Sequence, residues 1–156
     1  MDSYELSLDA IRGWCDRAGF RYLYNEKLGQ LALPRDQGQP PIRVVPQPER
    51  KMLTLAVVLP FAVPEDRFDA VARAATLANS SSFMGSWVLN SQKGDLYFRV
   101  TLPTLGVRYD DQSLRFVINV VVGTSNILAK AFYDVAIEGG SHELILEAQK
   151  GIRPPG

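Results

Sequence analysis

The stretch from Leu59 to Leu102 limits most what this chain can fold into: LPFAVPEDRFDAVARAATLANSSSFMGSWVLNSQKGDLYFRVTL. It reads as the end of a strand, a helix started by proline, and a β-hairpin. Pro60 is expected to end the strand. Pro64 suits a first helical turn, where its missing N–H costs nothing. Glu65 and Asp66 follow it, favourably placed near the positive end of the helix dipole. Phe68, Val71, Ala72, Ala75 and Ala78 fall on one stripe. The stripe is mostly alanine, so this helix (65 to 79) can lie close against a neighbour. Asn79 and the serines Ser80 to Ser82 end it. Gly85 to Asn90 and Asp95 to Leu102 then alternate as two strands around Ser91-Gln92-Lys93-Gly94. Leu96, Phe98, Val100 and Leu102 share one face of the hairpin. Tyr97, Arg99 and Thr101 share the other.

The preceding segments read as strands that pair with this unit. Ser7 to Ala18 is a predicted amphipathic helix with Leu8, Ile11, Cys15 and Ala18 on one face, Trp14 beside them, Ser7 as cap and Gly19 as terminator. Phe20 to Tyr24 alternates as a strand, Asn25 to Lys27 as a turn, and Leu28 to Leu33 as a second strand. PRDQGQPP (34 to 41) is a loop. Ile42 to Val45 resumes a strand that Pro46 and Pro48 confine to an edge or a short piece. Lys51 to Leu59 is apolar on both faces, so it is expected to be central and covered on both sides. Residues 114 to 122 carry two patterns. Their β-branched run fits a strand. Leu114, Val117, Ile118, Val121 and Val122 also fit a helix capped by Asp110 or Asp111, and helix is chosen, loosened near Gly123 and running to Gly139. Residues 144 to 149 add a short terminal element.

At 156 residues and 46% hydrophobic content, the chain has enough apolar material for one domain, taken as residues 1–150 with a frayed tail at 151–156. Lys and Arg together equal Asp and Glu at 17 each, so no global field attracts nucleic acid or an anionic membrane. A single cysteine, Cys15, makes no intrachain disulfide and fits a reducing compartment. No apolar leader and no run of about 18 apolar residues is present, which predicts a cytoplasmic chain with no membrane partner.

No catalytic set is visible, and no cofactor or metal is expected. His142 is alone and reads as a loop residue. Cys15 reads as core. Glu65-Asp66 and Asp110-Asp111 can offer ligands to a hard cation, but helix-start acids explain both pairs. The glycines match no phosphate-binding spacing. Tyr22, Tyr24, Trp87 and Tyr97 can form a sheet face beside Arg99. Core packing ranks first for them, a groove for a partner protein second, and stacking on nucleic-acid bases through an Arg/Tyr patch third. The alanine-rich stripe at Phe68, Val71, Ala72 and Ala75 is a candidate dimer surface, with packing on its own sheet as the equal alternative.

Taken together, Leu59-Pro60, Val63-Pro64-Glu65-Asp66-Arg67, Asn79, Gly85, Leu89, Gly94 to Arg99 and the late helix resemble the YbjN family of bacterial sensory transduction regulators, over about residues 50–138. The resemblance implies an α+β fold similar to the type III secretion chaperones, an antiparallel sheet flanked by helices. It also implies a non-enzymatic, homodimeric chaperone- or adaptor-like module. Such a module would engage a partner protein by strand addition or through a hydrophobic groove. Secretion chaperones are typically acidic and this chain is neutral, which favours a general adaptor. A nucleic-acid-associated accessory protein is the alternative.

Overall fold

A computed structural model describes residues 2–36 and 38–151. Helix α1 spans Leu8–Ala18, with Ser7 Oγ accepting from the Ala10 N–H and Gly19 in the left-handed region ending it. Strands β1 (Leu23–Asn25), β2 (Gln30–Leu33), β3 (Ile42–Gln47) and β4 (Met52–Ala62) follow. Helix α2 (Phe68–Ser80) is entered through a single 3-10 turn at Glu65–Arg67, set by Pro64. Strands β5 (Ser86–Asn90) and β6 (Asp95–Pro103) form the hairpin, α3 spans Asp111–Ala136, and α4 spans Leu144–Gln149. The tail predicted to fray lies, from residue 152 on, outside the described residues.

All neighbouring strands are antiparallel, in the order β1-β2-β3-β4-β6-β5. Leu31, Val44, Leu55 and Val100 lie in register on one face and are buried. They meet Ile11 and Trp14 of α1, Val71, Ala74 and Ala78 of α2, and the stripe from Leu114 to Ala136 of α3 in one core. All four helices thus lie on one side of the sheet.

Several expectations change. Pro60 does not end β4, which runs on to Ala62 past an irregularity between Val58 and Ala62. A bulge lets a strand tolerate the missing N–H. β4 is central as expected, but helices cover only one of its faces, that of Leu53, Leu55, Val57 and Leu59; on the other face Thr54 and Ala56 are nonetheless buried, and Met52 and Val58 are half-buried. β3 is internal rather than an edge, yet β2 pairs with it only as far as Val44, so Pro46 sits where no neighbour needs its N–H. Residues 114–122 are helical, and α3 continues through Gly123 without interruption. Asp110 Oδ1 accepts from the Ser113 N–H and Ser113 Oγ from the Asp110 N–H, a reciprocal cap that starts the helix against the β-branched preference of its sequence. By length and composition α3 could cross a bilayer. Its apolar stripe instead packs on the sheet of its own chain.

The far end of α3 shows what Arg67 does. Its guanidinium donates to the carbonyls of Val135 (2.9 Å) and Gly140 (2.7 Å). The last carbonyls of a helix lack partners inside the helix. The arginine of the Val63–Arg67 run therefore ties the start of α2 to the end of α3.

Candidate functional site

The side of the sheet away from the helices is covered by no helix of the chain. Register sets its composition. Leu23, Ala32, Arg43, Ala56, Arg99 and Ser86 form one row across the whole sheet. Val45, Thr54 and Thr101 form the next row, and Val58, Tyr97 and Val88 lie on the opposite side of the first. Gln47 donates to Thr54 Oγ1, which shares a 2.9 Å hydrogen bond with Thr101 Oγ1. The centre is thus small and apolar, bracketed by two arginines. Arg43 and Arg99 stand one strand on either side of Ala56, about 10 Å apart at their Cα atoms. Both are exposed, and neither has a carboxylate partner among the described residues. Ala56 between them is 8% exposed.

The residues singled out from the sequence are not brought together. Tyr97 and Arg99 belong to this face. Tyr22 and Tyr24 lie at the other end of the sheet on the helix side, each within 6 Å of the Arg12 guanidinium of α1, at 5.6 and 5.3 Å. Trp87 is only 3% exposed, turned into the core against Phe98 and Phe132. It cannot share a surface with Tyr97, because adjacent strand residues point to opposite faces. On α2, Val71 and Ala75 are buried in the chain's own core, Phe68 is half-buried, and only Ala72 is exposed. The alanine stripe serves close packing on β5 and α3. Arg43, Val45, Val58 and Val88 were missed. Their signal was the strand register, which a single sequence does not carry.

The edges also differ from expectation. At β5, Asn79 Nδ2 donates to the Trp87 carbonyl (3.0 Å) and the Trp87 N–H donates to Asn79 Oδ1 (2.7 Å). The side chain occupies the place of a further strand, so strand addition meets a closed edge there. β1, at the other edge, is three residues long.

The strongest electrostatic network is structural. Arg17 of α1 makes a two-pronged pair with Asp111 at the start of α3, at 2.7 and 2.8 Å, and Tyr4 Oη donates to the same carboxylate at 2.8 Å. Those donors, Arg17 first, pull the Asp111 carboxyl down to about 2. Burial and the neighbouring carboxylate raise the Tyr4 phenol to about 12. A carboxyl depressed on folding stabilises the fold above its ordinary pKa of 3.8 and ceases to do so as pH falls through about 2. Asp111→Asn is therefore expected to lower the melting temperature at neutral pH. The gap to the parent protein should shrink between about pH 4 and pH 2 in a thermal-melt series. A gap that stays constant to the acid limit would show that the ion pair contributes nothing. Asp110 serves as the helix cap, so neither acid of this pair is left for the cation role weighed from the sequence.

A six-stranded antiparallel sheet carrying four helices on one side defines a protein of the type III secretion chaperone fold. The chain is similar to the structure of the ExsC–ExsE complex (14% identity, TM-score 0.59, covering 81% of this chain and 95% of that one). It is likewise similar to that of the HopA1–SchA chaperone–effector complex (10%, 0.56, 76% and 88%). A crystal structure of YbjN from E. coli, described as a putative transcription regulator, matches at 15% identity and TM-score 0.62 over 93% of both chains. The chain belongs to the YbjN family, whose model, described as "Putative bacterial sensory transduction regulator", matches residues 7–136. The match begins at α1, well before the residues in which the resemblance was first visible. No curated protein matches the sequence.

Proposed function

We propose that this chain is a non-enzymatic adaptor that holds a partner protein against the uncovered face of its sheet. The observation that carries this is the face itself. Ala56 stands between two unpaired guanidiniums and Val58, Tyr97 and Val88 form the row beside them, on the side of the sheet that the helices leave free. Aromatic and arginine residues are enriched at protein interfaces, and acidic groups on a partner complement Arg43 and Arg99. Similarity to chaperone–effector complexes supports a protein partner. The protein acts in the cytoplasm as a homodimer, with the exposed side of α2 around Ala72 as the contact between copies. The buried Cys15 thiol, raised to about 11 by burial, takes no part.

A photo-crosslinking residue at position 97 tests the site, with the same residue at the exposed Asp16 on α1 as control. A partner-protein adduct is expected at 97 only. It should weaken at least about tenfold in the Arg43→Glu, Arg99→Glu double variant, as for loss of charged hydrogen bonds. An adduct confined to 16 would move the partner to the helix side and overturn the assignment. Light scattering reads the oligomer: a mass of 17.3 kDa would remove the homodimer and leave the partner surface in place.

A further inference from the structure

A cavity of about 370 Å³ lies between the end of α1, the loop that joins β2 to β3, and α3. Ligand cavities run from about 300 to 1,000 Å³. It is independent of the sheet face, since Leu33 and Ile42 in its wall belong to the core on the helix side. Phe20, Ile118 and Val122 extend the apolar wall. Phe20 lies nearly parallel to Trp14, with ring centroids 5.1 Å apart, yet stays 44% exposed. An aromatic ring that lines a cavity and keeps that much surface suits a flat apolar body.

Arg35 supplies the polar end. It lines the cavity from the β2–β3 loop and is half-buried. Its Nε donates to the Pro40 carbonyl at 2.7 Å and its Nη1 to Asn126 Oδ1 at 3.0 Å. These bonds hold the guanidinium between the loop and α3. Asn126 is one turn beyond Val122 on the same side of α3, so the guanidinium stands at the end of the apolar wall. Both acceptors are neutral. A guanidinium has five N–H donors, and Nη2 has no partner among the described residues. Nη2 is not sealed off either, because the Trp87 indole nitrogen is the one fully buried side-chain polar atom without a partner there. Burial lowers the pKa of Arg35, and no carboxylate raises it again. Asp36 also lines the cavity, but it is exposed and pairs with no cation among the described residues. A partly desolvated cation with neutral acceptors only lacks the anion that would offset its burial.

We propose that this cavity binds an aromatic carboxylate, its ring against Phe20 and its carboxylate on Nη2 of Arg35. Nη2 keeps both of its N–H groups for the ligand, and hydrogen bonds between a guanidinium and a carboxylate are the strong kind. Arg21 offsets Asp36 in the lining, which leaves the charge of Arg35 for the ligand. The exposed carboxamides of Gln39 and Asn119 flank it. A ligand held there touches the end of α1, the β2–β3 loop and α3 at once.

The test is a titration of the full, ¹⁵N-labelled chain with naphthoate, with naphthylmethanol and inorganic phosphate as comparison probes. The Arg35 Nε–H signal, assigned by its loss in Arg35→Met, and the backbone amides of Phe20 and Asn119 are expected to move, while those of Val88 and Tyr97 on the sheet face stay. The neutral alcohol and phosphate should each bind at least about tenfold more weakly than naphthoate, and Arg35→Met should weaken naphthoate by the same factor. Because Arg35 also ties the loop to α3, the three probes on the parent chain decide the matter whether or not that variant folds. Unmoved signals at Arg35, Phe20 and Asn119 overturn the site. The alcohol binding as tightly as naphthoate overturns the carboxylate, and phosphate binding as tightly overturns the aromatic body.

Discussion

Gly85→Ala is expected to be the most damaging single-methyl change in the chain. Gly85 precedes β5 with φ +82°, a left-handed conformation that costs an L-residue about 1–2 kcal/mol. Space makes it worse. An added Cβ would stand 2.6 Å from the Arg99 carbonyl oxygen, 2.6 Å from Phe98 Cζ and 2.8 Å from Val100 Cγ2. The first of these is sheet backbone and the second is core, so neither can yield cheaply. The start of β5 would have to lift from β6, loosening Trp87. A total near 3–5 kcal/mol is expected, at the severe end of single substitutions. Gly106 is the control: φ +76° with nothing within 4 Å of the added atom, for which about 1 kcal/mol is expected. Urea unfolding of the two variants separates backbone strain from crowding. Equal costs would show that the close approach of β5 to β6 does not matter.

Trp14→Ala ranks second. α1 is joined to the rest of the chain chiefly by side chains, and Trp14 is the largest of them, 1% exposed. Its ring stacks on Phe20 at 5.1 Å, its N–H donates to the Asp111 carbonyl at 3.3 Å, and the Arg115 guanidinium lies 5.8 Å from it. Truncating a buried indole typically costs about 3–5 kcal/mol. Trp14→Phe keeps most of the ring and loses one hydrogen bond, so about 1 kcal/mol is expected from that loss. Hydrogen exchange should show α1 losing protection selectively in Trp14→Ala. Uniform protection, with a loss of stability below about 1 kcal/mol, would mean that α1 docks by other contacts.

Local chemistry was legible where neighbours in sequence are neighbours in space. Ser7 and Gly19 bound α1, Asp110 caps α3, and the alternation of Leu96, Phe98 and Val100 places them in the core. Helical spacing over 114–122 prevailed over β-branched composition, because ten residues of that helix find the sheet at the right period. The late residues also carried the family resemblance. α1 and the first strands, which the family model also covers, did not show it, because the recognisable runs lie after residue 50.

What the chain could not show by itself is which apolar face meets which partner. Met52 to Leu59 is apolar on both sides, and only the stacking of every helix on one side left Thr54, Ala56 and Val58 on a face that no helix covers. Tyr97 and Trp87 looked alike as aromatic strand residues; the β5–β6 register put one outside and the other beneath α3. Arg43 and Arg99 are 56 residues apart in sequence and became neighbours only through β4. Period-two and period-3.6 patterns determine elements and their buried stripes. Pairing order and helix placement are long-range choices, set by the packing of the whole core, and they decided which face of the sheet is left free.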